Sequence, residues 1–254
     1  VFTELNHFGI VVRDLDASLG FYEDLFGARV VFRKKIPSSD TDVVYLQIAG
    51  SLIELLHPAA PAADEQFGIT HIAFLTDSLD DDFARLTALG YEGLLAPRTA
   101  GTGVGRLAFV RGPDGARVEI LERDVRMRQP LVDHPIVTSF DHYGLTTRDR
   151  EAALEFYAGQ LGLTPLPPAP GTPAADRDRL HYDVDVLEIA AGDAASDEPV
   201  FSHIGLRVSD AEAASRELEA RGFHPERLTA RAASADPAVA VRDPDGVRIV
   251  LSAA

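Results

Sequence analysis

The sequence predicts an α+β protein: four βαβββ modules paired into two cup-shaped mixed-sheet domains. Three observations lead there. Four segments open alike, at His7-Phe8-Gly9-Ile10, His71-Ile72-Ala73-Phe74, His142-Tyr143-Gly144-Leu145 and His203-Ile204-Gly205-Leu206. Each is followed six or seven residues later by an Asp (Asp14, Asp77, Asp149, Asp210) and 19 or 20 residues later by a Gly (Gly27, Gly90, Gly162, Gly222). Successive histidines lie 64, 71 and 61 residues apart, and a near-constant period marks a repeated supersecondary unit.

Each element has a local cause. The opening stretch is short and rich in Val, Ile, Leu and Phe, so it reads as a buried strand. The Asp at its end is a helix N-cap, because its carboxylate can accept from the unpaired N–H groups of the first turn. The next dozen residues carry helical spacing: Leu15, Leu19, Phe21, Tyr22, Leu25 and Phe26 in module one, more weakly Ala211, Ala214, Leu218 and Phe223 in module four. The run Asp80-Asp81-Asp82 suits the positive end of a helix dipole. The closing Gly supplies the left-handed backbone of a helix terminus. Strands follow. Val43–Ile48 and Leu52–Leu56 flank a tight turn at 49–51, and Arg179–Ile189 folds into a hairpin in module three. In modules two and four the hairpin turn is Pro113-Asp114-Gly115 and Pro244-Asp245-Gly246, where Pro presets φ and Gly accepts a positive one. The Ala- and Pro-rich stretches 58–63 and 165–175 read as connections.

Odd modules share Phe-Tyr before their closing Gly, and even modules share the Pro-Asp-Gly hairpin, so the larger unit is a pair of modules, duplicated. This gives a first domain at 1–123 (modules 1–66 and 67–123), a linker at 124–138 and a second domain at 139–254 (modules 139–196 and 197–254).

Composition narrows the function. The 254 residues carry 24 basic against 40 acidic side chains, a formal charge of −16, which disfavours nucleic acid and anionic membrane surfaces as partners. There is no Cys, which excludes thiolate metal sites and a cysteine nucleophile. No apolar run reaches transmembrane length, and Val1-Phe2-Thr3-Glu4 does not resemble a signal peptide, so a cytoplasmic location is expected.

Ligand-capable residues fall in register. Glu54, Glu119 and Glu188 lie 47, 48 and 46 residues after His7, His71 and His142, while the fourth equivalent, 47 after His203, is Val250. Only eight histidines exist, and four share one repeat position; His57, His134, His181 and His224 read as surface residues. Glu54 and Glu119 interrupt apolar strands, where an unpaired carboxylate costs several kcal/mol. A metal ion offsets that cost. His7, Glu54, His71 and Glu119 form a nitrogen and oxygen donor set for one divalent ion (Ni, Co, Mn, Fe or Zn), with a weaker second set at His142, Glu188 and His203. Four ligands from four strands converge only if two modules close into a cup. The glycine-rich 100–105 stretch precedes a strand, not a helix, so it reads as a loop beside the cup, with Arg98 or Arg106 available to an anionic substrate. Phe8, Tyr45 and Tyr143 read as packing.

These residues resemble the vicinal oxygen chelate superfamily: glyoxalase I, methylmalonyl-CoA epimerase, fosfomycin-resistance enzymes, bleomycin-binding proteins and extradiol dioxygenases. The resemblance covers almost the whole chain, and the first half, from Gly68-Ile69-Thr70-His71 to Phe109-Val110-Arg111-Gly112-Pro113-Asp114-Gly115 and Glu119, is most similar to glyoxalase I. It implies paired modules curled into a cup, with ligands on the first and last strands of each module. It implies a metal-dependent isomerase or lyase acting on a 1,2-dioxygenated small molecule, with Glu119 as the better base and Glu54 opposite. Val11 and Pro58 stand where glyoxalase I usually has the Arg and Asn that contact glutathione, so a different substrate is expected. Two alternatives stay open: an Fe(II) extradiol dioxygenase using His7, His71 and Glu119, and a metal-free antibiotic-binding protein, for which an aromatic-lined cup is wanting in a chain with no Trp. A homodimer with modules exchanged between chains is also open.

Overall fold

The structure is a computed structural model that describes residues 1–167, 177–192, 200–228 and 238–253. Module one runs β1 (Phe2–Val11), α1 (Leu15–Phe26), β2 (Arg29–Ile36), β3 (Thr41–Ile48) and β4 (Ser51–Pro58). Module two runs β5 (Gly68–Thr76), α2 (Leu79–Ala88), β6 (Gly93–Thr99), β7 (Arg106–Arg111) and β8 (Arg117–Glu122). Module three follows with β9 (Val137–Thr147), α3 (Arg150–Leu154), continued by a wider turn at Glu155–Gln160, then β10 (Thr164–Pro165), β11 (Arg177–Tyr182) and β12 (Asp185–Ala191). Module four has β13 (Phe201–Val208), α4 (Ala211–Ala220), β14 (Glu226–Leu228), β15 (Ala238–Arg242) and β16 (Arg248–Ala253). Parts of the expected 165–175 connection, the 196/197 module boundary and residue 254 lie outside the described residues.

Each half is one eight-stranded mixed sheet, ordered β2-β3-β4-β1-β5-β8-β7-β6 in the first and β10-β11-β12-β9-β13-β16-β15-β14 in the second. Two modules join through their opening strands, β1 antiparallel to β5 and β9 antiparallel to β13. Each opening strand also pairs in parallel with the last strand of its own module. The candidate ligands therefore sit on the four central strands of a sheet, one per strand.

Helix boundaries follow the sequence signals in three modules. Asp14, Asp149 and Asp210 each accept from a first-turn N–H of the following helix. Asp77 does not. α2 starts eight residues after its His, as the other helices do, but Asp77 lies only six after it, so Ser78 takes the cap position and Asp77 instead pairs with the Val1 ammonium at 2.5 Å. Gly27, Gly90, Gly162 and Gly222 all hold positive φ, as a helix exit requires.

The two sheets pack back to back. Phe8 follows His7 on β1 and so points to the opposite face of the sheet. There it meets Tyr143 and Phe201 of the second half at ring-centroid distances of 4.9 and 5.3 Å. Phe74 meets Tyr157, and Phe21 meets Phe223. One apolar core thus spans both halves, and the two cups open away from each other. Hydrogen bonds across this seam come in matched pairs. Asp114, in the module-two turn, accepts from Thr147 Oγ1 and from Arg148 N and Nε at 2.6–3.0 Å. Asp245, in the module-four turn, accepts from Arg13 N and Nη1 at 3.2 and 2.9 Å. The Pro-Asp-Gly turns therefore clasp the opposite half as well as reversing the chain. Residues 123–136 contain no strand or helix, but Arg128 within them donates to Glu4, Gly50 O and Asp185, tying both halves to the connection. His134, expected on the surface, is partly buried: its Nδ1 accepts from Ile136 N and Val137 N, turning the chain into β9. Among the described residues no helix is long and apolar enough to cross a membrane.

Candidate metal centre

His7 on β1, Glu54 on β4, His71 on β5 and Glu119 on β8 meet at the floor of the first cup. All four are buried, and their donor atoms lie within 4.8 Å of one another. Cross-strand register brings them there. Glu54 is opposite Gly9, Gly9 opposite His71, His7 opposite Ala73, and Ala73 opposite Glu119. The small residue two places after each His is the space its neighbour needs: a Cβ on Gly9 would overlap the His71 ring. The sequence displayed this His-x-Gly/Ala spacing, but its reason lies across the strands.

The geometry is that of a ring around a gap. His7 Nε2 and His71 Nε2 each stand 3.4 Å from Glu54 Oε2 and 3.4 Å from Glu119 Oε2. A point equidistant from four atoms on such a ring lies at most about 2.4 Å from each, near the roughly 2.0–2.2 Å at which imidazole and carboxylate meet a divalent transition ion. His7 Nε2, His71 Nε2 and Glu119 Oε2 are buried without a hydrogen-bond partner, which is costly unless a ligand supplies one. The donor set fits a divalent cation.

Electrostatics agree with the donor chemistry. Burial opposes ionisation of Glu54 and Glu119, yet the imidazoles beside them hold both carboxyls below their usual range. Burial also presses His71 down, but Glu119 and Glu54 outweigh it and raise it to about 9. Two carboxylates in one buried floor thus attract positive charge, whether a proton or a metal.

The imidazoles are oriented by residues the sequence reading passed over. His7 Nδ1 donates to Asn6 Oδ1 at 2.9 Å, and Arg123 Nη2 donates to the same oxygen at 2.7 Å, leaving Nε2 of His7 to face the gap. His71 Nδ1 is paired with Thr70 Oγ1 at 3.2 Å. His142 and His203 repeat this with Asp141 and Ser202. A polar residue directly before each repeat His was the visible signal; such partners fix ring orientation and tautomer. Tyr45, expected to be packing, lines the cup: its ring is 5.0 Å from that of His7, and its hydroxyl accepts from Arg123. Arg106, a candidate for meeting substrate, is instead held by Asp80 and Glu122.

Above this floor the cup encloses a cavity of about 1090 Å³. Its walls include Phe32, Tyr45, Leu56, Leu107, Phe109 and Met127, with Val11 and Pro58 also lining it. Arg117 stacks over Phe109 at 4.1 Å. Residues 100–104 border the same cavity.

The second cup also brings its three candidates together, His142, Glu188 and His203. There the imidazoles close on each other, Nε2 to Nε2 at 2.8 Å, and Arg177 Nη1 donates to Glu188 Oε1 at 2.6 Å. Burial, His142 and the nearby Arg177 and Arg248 hold His203 well below its usual range.

Paired βαβββ modules that gather candidate metal ligands at the floor of a cup define a class of small-molecule chelating folds. Residues 4–120 and 139–251 each match the Glyoxalase/Bleomycin resistance protein/Dioxygenase superfamily, and the chain belongs to it; this is the vicinal oxygen chelate superfamily. A probable lactoylglutathione lyase of Synechocystis sp. is 28% identical over 123 residues, which cover 46% of this chain and 94% of that one. The lactoylglutathione lyase GLX1 of Arabidopsis thaliana is 25% identical over 157 residues, 60% of this chain and 52% of that protein, so the match spans about half its length. Among solved structures, the Mn(II)-bound glyoxalase from Novosphingobium aromaticivorans superimposes with TM-score 0.69 at 19% identity, over 99% of this chain and 82% of that one. The 2,3-dioxygenase LapB from Pseudomonas sp. KL28 gives 0.71 at 14% identity, over 100% and 94%. At these identities the structural likenesses establish the fold.

Proposed function

We propose that this protein is a divalent-metal-dependent isomerase or lyase of the glyoxalase type, which moves a proton beside two adjacent oxygens of a small molecule. The observation that carries the reading is the ring of His7, Glu54, His71 and Glu119 with three orphaned buried donor atoms. A bound divalent ion supplies Lewis acidity to the two substrate oxygens. Glu119 is the base. It is ionised and lines the cavity, and because its Oε2 would also face the ion, it would accept a proton from the neighbouring carbon after loosening from the metal as substrate binds. It then returns that proton to the adjacent carbon or to the opposite face. Glu54, across the ring, keeps the floor negative while the proton is away. Tyr45 and Phe109 exclude water from the reacting carbon.

Val11 and Pro58 in the wall favour a substrate with an apolar body over glutathione. The partner is thus a small molecule, and the cavity volume admits one larger than a three-carbon dicarbonyl. Elemental analysis of purified protein should find one divalent metal per chain in the wild type and little in His7→Ala. With candidate 2-oxo and 2-hydroxy substrates, Glu119→Gln should lose about 10²-fold or more in turnover while keeping its metal; unchanged turnover would remove Glu119 as base. Oxygen uptake with a catechol would replace this reading by the dioxygenase one.

A further inference from the structure

The second cup repeats the scaffold of the first with its charge reversed. Its β-register aligns Glu188 with Glu54, since Arg179 is opposite Glu188 as Tyr45 is opposite Glu54. On that alignment Arg177 and Arg179 stand where the first cup has Val43 and Tyr45, and Arg207 stands where it has Leu75. Val250 replaces Glu119, and Arg248, two residues earlier on the same face of β16, matches Arg117. The Glu119 carboxylate is lost, Asp141 takes the place of Asn6, and three arginines are gained at positions that in the first half are apolar or aromatic.

The carboxylates that remain are already engaged. Glu188 receives Arg177 Nη1 at 2.6 Å, and Arg179 Nε lies 4.0 Å from its other oxygen. Asp141 receives Arg179 Nη2 at 2.9 Å and Arg207 Nε at 3.2 Å, besides pairing with His142. Among the described residues Arg248 meets only Glu226, at 3.4 Å and on the exposed edge strand. The Nε–H groups of Arg179 and Arg248 are buried without a partner among the described residues. The second floor has no orphaned carboxylate oxygen among the described residues, whereas the first has Glu119 Oε2. The His142 and His203 rings meet Nε2 to Nε2 at 2.8 Å, one imidazole donating to the other.

We propose that the second cup binds a small oxyanion, a carboxylate or phosphate group held by Arg177, Arg179 and Arg248 over the His142–His203 pair, and not a metal ion. Guanidinium groups suit such ligands because their N–H forks match two oxygens at once. A cationic recess in a chain of net charge −16 also concentrates anions locally. The proposal does not depend on the chemistry assigned to the first cup.

The test is calorimetric titration of the full chain with inorganic phosphate and, separately, with malonate. His7→Ala serves as the control in which the first cup cannot hold metal, so that metal-borne phosphate is excluded. Histidine side-chain ¹⁵N NMR reports which imidazoles respond. We expect one anion per chain, bound equally by wild type and His7→Ala, with the His142 and His203 signals moving. Arg248→Met should weaken binding roughly ten-fold or more, and Val250→Glu, which returns a carboxylate to the floor, should abolish it. Arg248 pairs among the described residues with the exposed Glu226 alone, so its variant should fold; an unchanged circular dichroism melt checks this. Preference for phosphate or for malonate identifies the ligand as a phosphate or a carboxylate compound. The proposal is overturned if neither anion binds at millimolar concentration, if Arg248→Met binds as well as wild type, or if a second equivalent of Mn²⁺ binds and is lost in His203→Ala.

Discussion

Single side chains set the first floor. Gly9→Ala places a methyl group inside the space of the His71 ring, so the variant should fold but bind metal about 10–100-fold more weakly, read by competition with a chromogenic chelator. Asn6→Leu removes the acceptor of His7 Nδ1–H and should weaken metal binding by a similar factor, with Arg123 left unpaired at that end. The candidate ligands were legible in the sequence because the repeat puts Glu54 and Glu119 at matched distances from His7 and His71. Asn6, Gly9 and Tyr45 were not. Gly9 makes room for His71 on the neighbouring strand and Tyr45 meets His7 from two strands away, and strand register is not written in the spacing of one segment; Asn6 holds the residue beside it, a pairing only the folded strand displays. Val250 shows the reverse case: a missing carboxylate was plain from the alignment of modules, but the arginines that answer it belong to β11, β13 and β16, three strands apart in the chain.

At the level of elements, the repeat of Asp and Gly marked the helices, since an N-cap and a left-handed exit are local requirements. The structure separates a true cap from a look-alike. Asp149→Ala should cost about 1 kcal/mol in urea unfolding, because its carboxylate accepts Ala152 N at 3.0 Å. Asp77→Ala, one residue short of the cap position of its module, should cost less than about 0.5 kcal/mol. The two differ because Asp149 lies seven residues after its His and Asp77 only six, which leaves Ser78 at the cap. The hairpins were equally local. Ala49 and Gly50 both adopt positive φ, as a two-residue reversal between β3 and β4 demands.

For the molecule as a whole, the seam between halves governs stability. Asp245→Ala leaves Arg13 without its partner and should destabilise by about 1–2 kcal/mol, and Asp114→Ala should do the same at the matching contact. Asp243, buried at that seam, accepts from Tyr22 OH at 2.8 Å and from Val247 N at 2.7 Å. Burial nonetheless pushes its carboxyl up to about 6 from the usual 3.8. The folded state therefore holds this proton more tightly than the unfolded chain. Its contribution to stability is fully present below about 3.8 and is lost as pH rises through about 6. Wild type should gain on the order of 2 kcal/mol from this group between pH 7 and pH 4, and Asp243→Asn should lack that component in paired denaturation curves. None of this was readable beforehand, because the pairing of modules one with four and two with three arises between residues of different modules, more than 200 positions apart for Tyr22 and Asp243 and 34 for Arg148 and Asp114. The back-to-back seam also fixes what a shortened protein could do. A chain trimmed after residue 123 would bare Phe8, Ile10 and Phe74, now wholly enclosed, and would have to cover them with a second copy of itself. The intact polypeptide is in effect a fused dimer of unequal twins, one with an acidic floor and each serving as the cover for the other's back.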